Sequence, residues 1–413
     1  MVNGYFIFVL VTVLGFFLLD VVSRMLNLSA LKPELPNQFA DVFDAGEYAK
    51  SQDYTREGTR FGLIEDTFSL IVFLAFWWLG GFGIVDGWVR SVVTENYVLQ
   101  GLLFMAVLYV GSMIIGLPFE PYDTFVIEEK FGFNKTTLGT FFSDKAKSLL
   151  LAVVLGAPIL ALILFLFERF DSNAWLYGWI AVAGFSLLMT YLAPTYIMPL
   201  FNKFKPLEDG ELKSAIQEMS TKCQFPLTEV YEIDGSKRST KANAFFTGLG
   251  KNKKIALYDT LIQNNGVGEL VAVLAHEIGH FKKKHIVQSI VLGILQMGVL
   301  FFLLGKFLNN QGLFDAFGVE QVSVYGSLVF FTFLFEPISK LLSVVMMVLS
   351  RKNEYEADAY AAEVTGRPED LISGLKKLSK DNLSNLTPHP FFVFLNYSHP
   401  PMLKRLAALE SLK

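Results

Sequence analysis

Seven stretches of this chain are apolar for long enough to cross about 30 Å of hydrocarbon, and a chain built that way must satisfy its backbone as membrane helices. They are Gly4–Leu19, Phe68–Val85, Leu99–Leu117, Leu149–Phe167, Ala174–Leu192, Ile286–Leu304 and Val322–Leu349. The first lacks a basic leading region and an A-x-A site, so it is expected to be a retained span and not a cleaved signal. In the seventh, Glu336 and Lys340 are four apart and can pair on a helix that Pro337 kinks. Such a pair belongs either in a protein or water interior or near the membrane surface.

Composition agrees. Charged residues make up 18% of the chain and hydrophobic ones 52%, where soluble domains carry about 25% charge. A net charge of −4 without a dense basic stripe predicts no nucleic-acid partner. The single cysteine, Cys223, excludes an intramolecular disulfide and a cysteine-built metal site; it reads as a small buried apolar residue.

Seven spans divide the loops into two alternating sets. The connections 90–98, 168–173 and 309–321 hold only Arg90 and Arg169 as basic residues. The opposite set holds Arg24, Lys32, Lys50, Arg56 and Arg60, then Lys130, Lys135, Lys145 and Lys147, and the basic-rich segment 201–285. The bias predicts an outside or lumenal N-terminus, with the long loop and the C-terminal tail in the cytoplasm.

Four regions follow: spans one to five in 1–200, a soluble-type segment in 201–285, spans six and seven in 286–350, and a tail in 351–413. Within 201–285 an amphipathic helix is expected from Asp209 to about Lys222. Strands are expected at Leu227–Ile233, Asn243–Leu249 and Lys254–Tyr258, with a hairpin turn at Gly250-Lys251-Asn252-Lys253. A helix from about Val267 to Lys284 comes last.

That helix carries His276-Glu277-Ile278-Gly279-His280, an H-E-x-x-H pattern. Residues four apart share a helix face, so both imidazoles can reach one tetrahedral zinc ion. Glu277 points about 100° away, off the metal but near its open position, where it can take a proton from attacking water. A catalytic zinc needs a third protein ligand. The tail of the seventh span offers Glu354-Tyr355-Glu356-Ala357-Asp358, in which Glu354 and Asp358 share a face and Glu356 lies opposite. Glu354 then reads as the ligand and Asp358 as a carboxylate orienting a ligand histidine. Between His280 and Glu354 the chain crosses the membrane twice, which returns the ligand to the motif's side.

With these residues in hand, the sequence resembles the type I CAAX prenyl protease family of integral-membrane zinc endopeptidases. The resemblance covers nearly the whole chain. It rests on the segment Phe125-Val126-Ile127-Glu128-Glu129-Lys130-Phe131-Gly132-Phe133-Asn134, on Pro199-Leu200-Phe201-Asn202-Lys203-Phe204, and on Asn243-Ala244-Phe245-Phe246. It continues through His276–His280, Glu354–Asp358 and Tyr397-Ser398-His399-Pro400-Pro401. It implies a mostly α, polytopic fold: seven helices forming a barrel around a water-filled chamber, capped at the cytoplasmic end by a zincin-like domain with a small β-sheet. It also implies one zinc ion, Glu354 as third ligand, and Asn243, Ala244, Phe245 and Phe246 as an edge strand that pairs with substrate backbone.

His399 is expected to donate to the oxyanion of the scissile carbonyl, as the similar family's histidine does at this place. His389 and His285 are its rivals. The substrate would be a peptide or protein, prenylated or not, in a bacterial inner membrane or an endoplasmic reticulum according to the organism. Two other readings remain: clearance of membrane or translocation-stalled proteins, and a channel or transporter with a structural zinc.

Overall fold

The computed structural model describes residues 2–247 and 253–412. Seven helices are long and apolar enough to span a membrane: Gly4–Ser29, Ala45–Trp78, Tyr97–Glu128, Leu138–Arg169, Ala174–Leu200, His285–Phe307 and Val324–Thr365. Their ends follow local chemistry. The second begins with a capping box, Glu47 N–H donating to Asp44 Oδ1 at 2.8 Å and Asp44 N–H to Glu47 Oε2 at 3.1 Å. Ser323 Oγ caps the seventh by accepting from Gly326 N–H at 3.1 Å.

Two expectations need correction. The second span is not Phe68–Val85: the helix stops at Trp78, and a separate helix runs Gly81–Val92 after Gly80 takes a left-handed φ of +75°. The apolar run continues through that turn because Phe82 and Val89 are buried with Trp77, Phe317 and Phe330, so packing and not lipid explains their character. In the seventh helix, which stays helical through Pro337, Glu336 is exposed and Lys340 half-buried. They form no ion pair among the described residues.

The spans close a ring. The first packs on the second and seventh, the seventh on the sixth, the sixth on the fifth, the fifth on the fourth and the fourth on the third. The second meets the third through Phe61 stacked on Tyr122, with ring centroids 4.9 Å apart. A cavity of about 770 Å³ lies between the second, third, fourth and seventh spans, and Glu65, Glu120 and Lys145 line it beside Phe73 and Phe333. Charges at that depth belong against protein or water.

Outside the ring, a four-stranded sheet has the order β1-β2-β4-β3, with β1 Phe204–Pro206, β2 Leu227–Ile233, β3 Ala244–Thr247 and β4 Lys253–Tyr258. β2 and β4 run parallel, and the outer strands are antiparallel to their neighbours. Residues 248–252 lie outside the described residues, and with them the end of the expected second strand and most of its hairpin turn. The expected amphipathic helix is Glu211–Lys222, with Ile216 and Met219 buried. Cys223 is free and buried. A core of Val230, Ile255, Leu257, Leu270, Leu274, Ile278, Leu371 and Leu406 joins the sheet to the helices Val267–Lys282, Pro368–Asp381 and Met402–Glu410.

Candidate active site

The helix Val267–Lys282 lies against the part of the seventh helix beyond its apolar run, and Gly279 sets how closely. A Cβ at Gly279 would stand 3.1 Å from Ala357 Cα and 3.2 Å from Ala357 O. The absence of that methyl group lets the two backbones approach and brings one face of each helix together. The seventh helix is 42 residues, about 63 Å at 1.5 Å per residue, so it delivers Glu354 and Asp358 on a continuous rod well beyond the hydrocarbon.

His276 Nε2 and His280 Nε2 are 3.1 Å apart. Glu354 Oε1 is 3.2 Å from His280 Nε2, and Glu354 Oε2 is 3.6 Å from His276 Nε2. The ligand atoms of these three residues all lie within 4.8 Å of one another. Two nitrogens bound to one tetrahedral zinc at about 2.0–2.1 Å stand roughly 3.3–3.4 Å apart, so the spacing fits a shared ion. The donors fit as well: Glu354 Oε2 is buried and makes no hydrogen bond, standing 3.6 Å from His276 Nε2 and 3.3 Å from the Arg405 guanidinium. Glu277 does not belong to this cluster. Burial raises its pKa above the ordinary carboxylate range, against the charges of His276 and His280.

Each of the two histidines has its own outer partner. Asp358 Oδ1 is 2.8 Å from His276 Nδ1, although the N–H axis is not aligned for a full hydrogen bond. Arg405 clamps the same carboxylate with Nε to Oδ2 at 2.8 Å and Nη2 to Oδ1 at 2.6 Å, and its Nη1 is 3.3 Å from Glu354 Oε2. Burial acts to raise the Asp358 pKa, but His276 and Arg405 outweigh it and hold the carboxyl at about 2. On the other side, His280 Nδ1 is 3.1 Å from His285 Nδ1, and His285 Nε2 is 3.2 Å from Glu356 Oε2.

Arg405 was not among the residues singled out from the sequence. Its signal was an arginine on the apolar face of a short helix with Leu406 and Leu409. His285 stood out only by its nearness to His280.

His399 Nε2 is 3.4 Å from Glu354 Oε1, and Ser398 Oγ contacts its Nδ1 at 2.9 Å. Its side chain is 62% exposed yet has Glu354, Arg405, His276 and His280 around it. The surrounding protein lowers its pKa, against the charge of Glu354. His389 serves elsewhere, capping the helix Pro390–Asn396 by accepting from Phe391 N–H at 3.1 Å.

Residues 206–413 match peptidase family M48, and residues 24–203 match the family described as CAAX prenyl protease N-terminal, five membrane helices. The chain belongs to peptidase family M48. CAAX prenyl protease 1 of Saccharomyces cerevisiae is 36% identical over 404 residues, covering 91% of this chain and 88% of that protein. The CAAX prenyl protease 1 homolog of Homo sapiens is 33% identical over 434 residues, covering 92% and 89%. The crystal structure of S. mikatae Ste24p superimposes with a TM-score of 0.94 at 33% identity, covering 99% of this chain and all of that one. This M48 chain is therefore a multi-pass membrane metalloendopeptidase acting on peptides or proteins, which sets aside the reading as a channel with structural zinc.

One edge of the sheet is open in this M48 protein. β3 is a terminal strand, and among the described residues it pairs only with β4, Ala244 opposite Leu257 and Phe245 opposite Ala256. Asn243 precedes it, its carbonyl accepting from Tyr258 N–H at 3.1 Å. The lead-in to β3 is anchored on the membrane helices. Lys241 Nζ donates to Glu128 Oε2 at 2.7 Å and to Tyr54 at 2.8 Å, over the Phe133 ring. Arg238 forks onto Asp144 at 2.8 and 3.1 Å. The segment Phe125–Asn134, read from sequence only as part of a resemblance, is thus the membrane-side socket for the edge strand.

Proposed function

We propose that the metal is one zinc ion held by His276, His280 and Glu354, and that Glu277 is the general base of peptide hydrolysis. The convergence of those three ligand groups, with Glu277 next along the helix, carries the reading. Zinc bound there would supply a Lewis acid that polarises the scissile carbonyl and acidifies water. Glu277 takes the proton of the attacking water; a carboxylate whose pKa burial has raised accepts it more readily near neutrality. Ser398 O–H donating to His399 Nδ1 leaves the His399 Nε2–H to donate to the carbonyl oxygen as it gains charge. Asp358, backed by Arg405, orients His276.

The substrate backbone adds to the open edge at Asn243, Ala244, Phe245 and Phe246, the mode that an unpaired strand offers. Residues 201–285 and 351–413 act as one catalytic unit on either side of spans six and seven, with 1–200 completing the ring. The loop charges favour a cytoplasmic site and an outside or lumenal N-terminus. The names of the relatives favour a CAAX-type substrate, cleaved after its prenylated cysteine to release the C-terminal tripeptide.

Hydrolysis of matched prenylated and unprenylated CAAX peptides, with and without chelator, tests this in wild type and Glu277→Gln. The variant should keep its metal and lose about two to four orders of magnitude in turnover. Near-normal turnover would sink the general-base role. Equal cleavage of both peptides would move the substrate reading toward general clearance of membrane proteins.

A further inference from the structure

Behind the metal site, where the sixth span leaves the helix Val267–Lys282, a cavity of about 420 Å³ opens at the membrane boundary. Lys283, Lys284 and Lys352 line it, together with the amides of Gln288 and Asn353. Lys283 and Lys284 have no ion-pair partner among the described residues, and Lys352 reaches only Glu356, at 3.6 Å. Glu356 is the one acid on the cavity, and His285 already holds it. Asn353 donates to Gln288 Oε1 at 3.2 Å, which leaves the Gln288 NH2 to donate. The cavity is therefore a cluster of donors with three ammonium groups and little to neutralise them.

The lysines also stand at the heads of two apolar stripes. On the sixth span Val287, Val291 and Leu295 are exposed at helical spacing, beginning in the first turn after the Lys283-Lys284 corner. On the seventh, Leu341, Val345 and Val348 are exposed, and Lys352 continues that face four residues on. The two spans pack against each other, so both stripes run from one cationic head region into the hydrocarbon. A soluble anion would use the lysines and ignore the stripes; a zwitterionic lipid would bring its own ammonium toward three others.

We infer that this cavity is a binding site for one anionic glycerophospholipid, its phosphate held by Lys283, Lys284 and Lys352 and its acyl chains lying along the Val287–Leu295 and Leu341–Val348 stripes.

The test is binding of phosphatidylglycerol against phosphatidylcholine to the full-length protein in micelles, read by native mass spectrometry. Wild type should retain phosphatidylglycerol preferentially. A lysine near a membrane surface contributes about fivefold, so K283Q/K284Q/K352Q should lose about a hundredfold of the preference. If the triple variant misfolds, K283Q and K352Q singly should each lose about fivefold. The control K205Q/K237Q/K404Q, exposed lysines off the cavity, should change nothing. An equal loss in that control, or no effect of either single variant, overturns the site. Inorganic phosphate displacing the lipid, with V287S/V345S binding lipid as wild type does, would mean a plain anion site and would also overturn it.

Discussion

The two histidines proposed to hold the metal are braced in unlike ways. His276 looks inward: the side chains of Asp358 and Arg405 are 2% and 6% exposed and pair with each other as well as with the site. His280 looks outward: His285 is buried, but the Glu356 beyond it is 41% exposed and shares its charge with Lys352. Buried charges depend on one another because no water replaces a missing partner, whereas an exposed carboxylate is resolvated when its contact is lost. One side of the site is therefore integral to the fold, and the other is a peripheral support.

The largest effect should come from Arg405. Arg405→Met removes the only cation that, among the described residues, touches Asp358 and Glu354 apart from histidines, and it leaves two buried carboxylates with less compensation. Loss of one partner from such a network costs about 3–5 kcal/mol, measurable as the unfolding free energy of the metal-free protein. Unchanged stability would show that the inner side is not a charge network at all.

Asp358→Ala should weaken metal binding by about 10–100-fold, measured by competition with a chelator, with Glu354→Ala losing the metal outright. The same carboxylate fixes a pH dependence. Its folded pKa, about 2, lies below the ordinary value, so the stability it contributes is fully present above about pH 4. That stability is lost as the pH falls from about 4 toward 2. The stability difference between metal-free wild type and Asp358→Asn should shrink over that interval. A difference that stayed constant would separate Asp358 from the linkage.

What could be read from the sequence follows from the range of each interaction. His276, Glu277 and His280, and the pair Glu354 and Asp358, are patterns within one or two helical turns, so spacing alone placed them on common faces. Seven apolar runs gave the ring's members, but the left-handed backbone at Gly80 ended one early, and an apolar run does not distinguish lipid from packed protein. Arg405 meets Asp358 across 47 residues and His285 meets Glu356 across 71, distances at which periodicity carries no information. The anchoring of Lys241 on Glu128, 113 residues apart, is of the same kind. Glu356 was expected opposite Glu354 and does lie off the metal cluster, but what it would touch there had no local signal.

The smallest effects belong to the outer side, and they come in two sizes. If His280 binds metal through Nε2, its Nδ1–H donates to His285 Nδ1, and His285 Nε2–H then donates to Glu356. Each bond fixes the tautomer of the ring before it. His285→Ala breaks the link next to the ligand and leaves the His280 Nδ1–H in a buried pocket, so metal affinity should fall about tenfold, the lower end for such partners. The absorption spectrum of the cobalt-substituted protein should shift with it, a change that simple loosening of the fold would not produce. Glu356→Gln keeps an acceptor oxygen for His285 and removes only a partly exposed charge, a change worth about 0–1 kcal/mol, or less than about fivefold in affinity. Metal titrations of the two variants under one condition decide the order. If Glu356→Gln weakened binding as much as Asp358→Ala, the outer carboxylate would be as integral as the inner one, and the contrast between the two histidines would be lost.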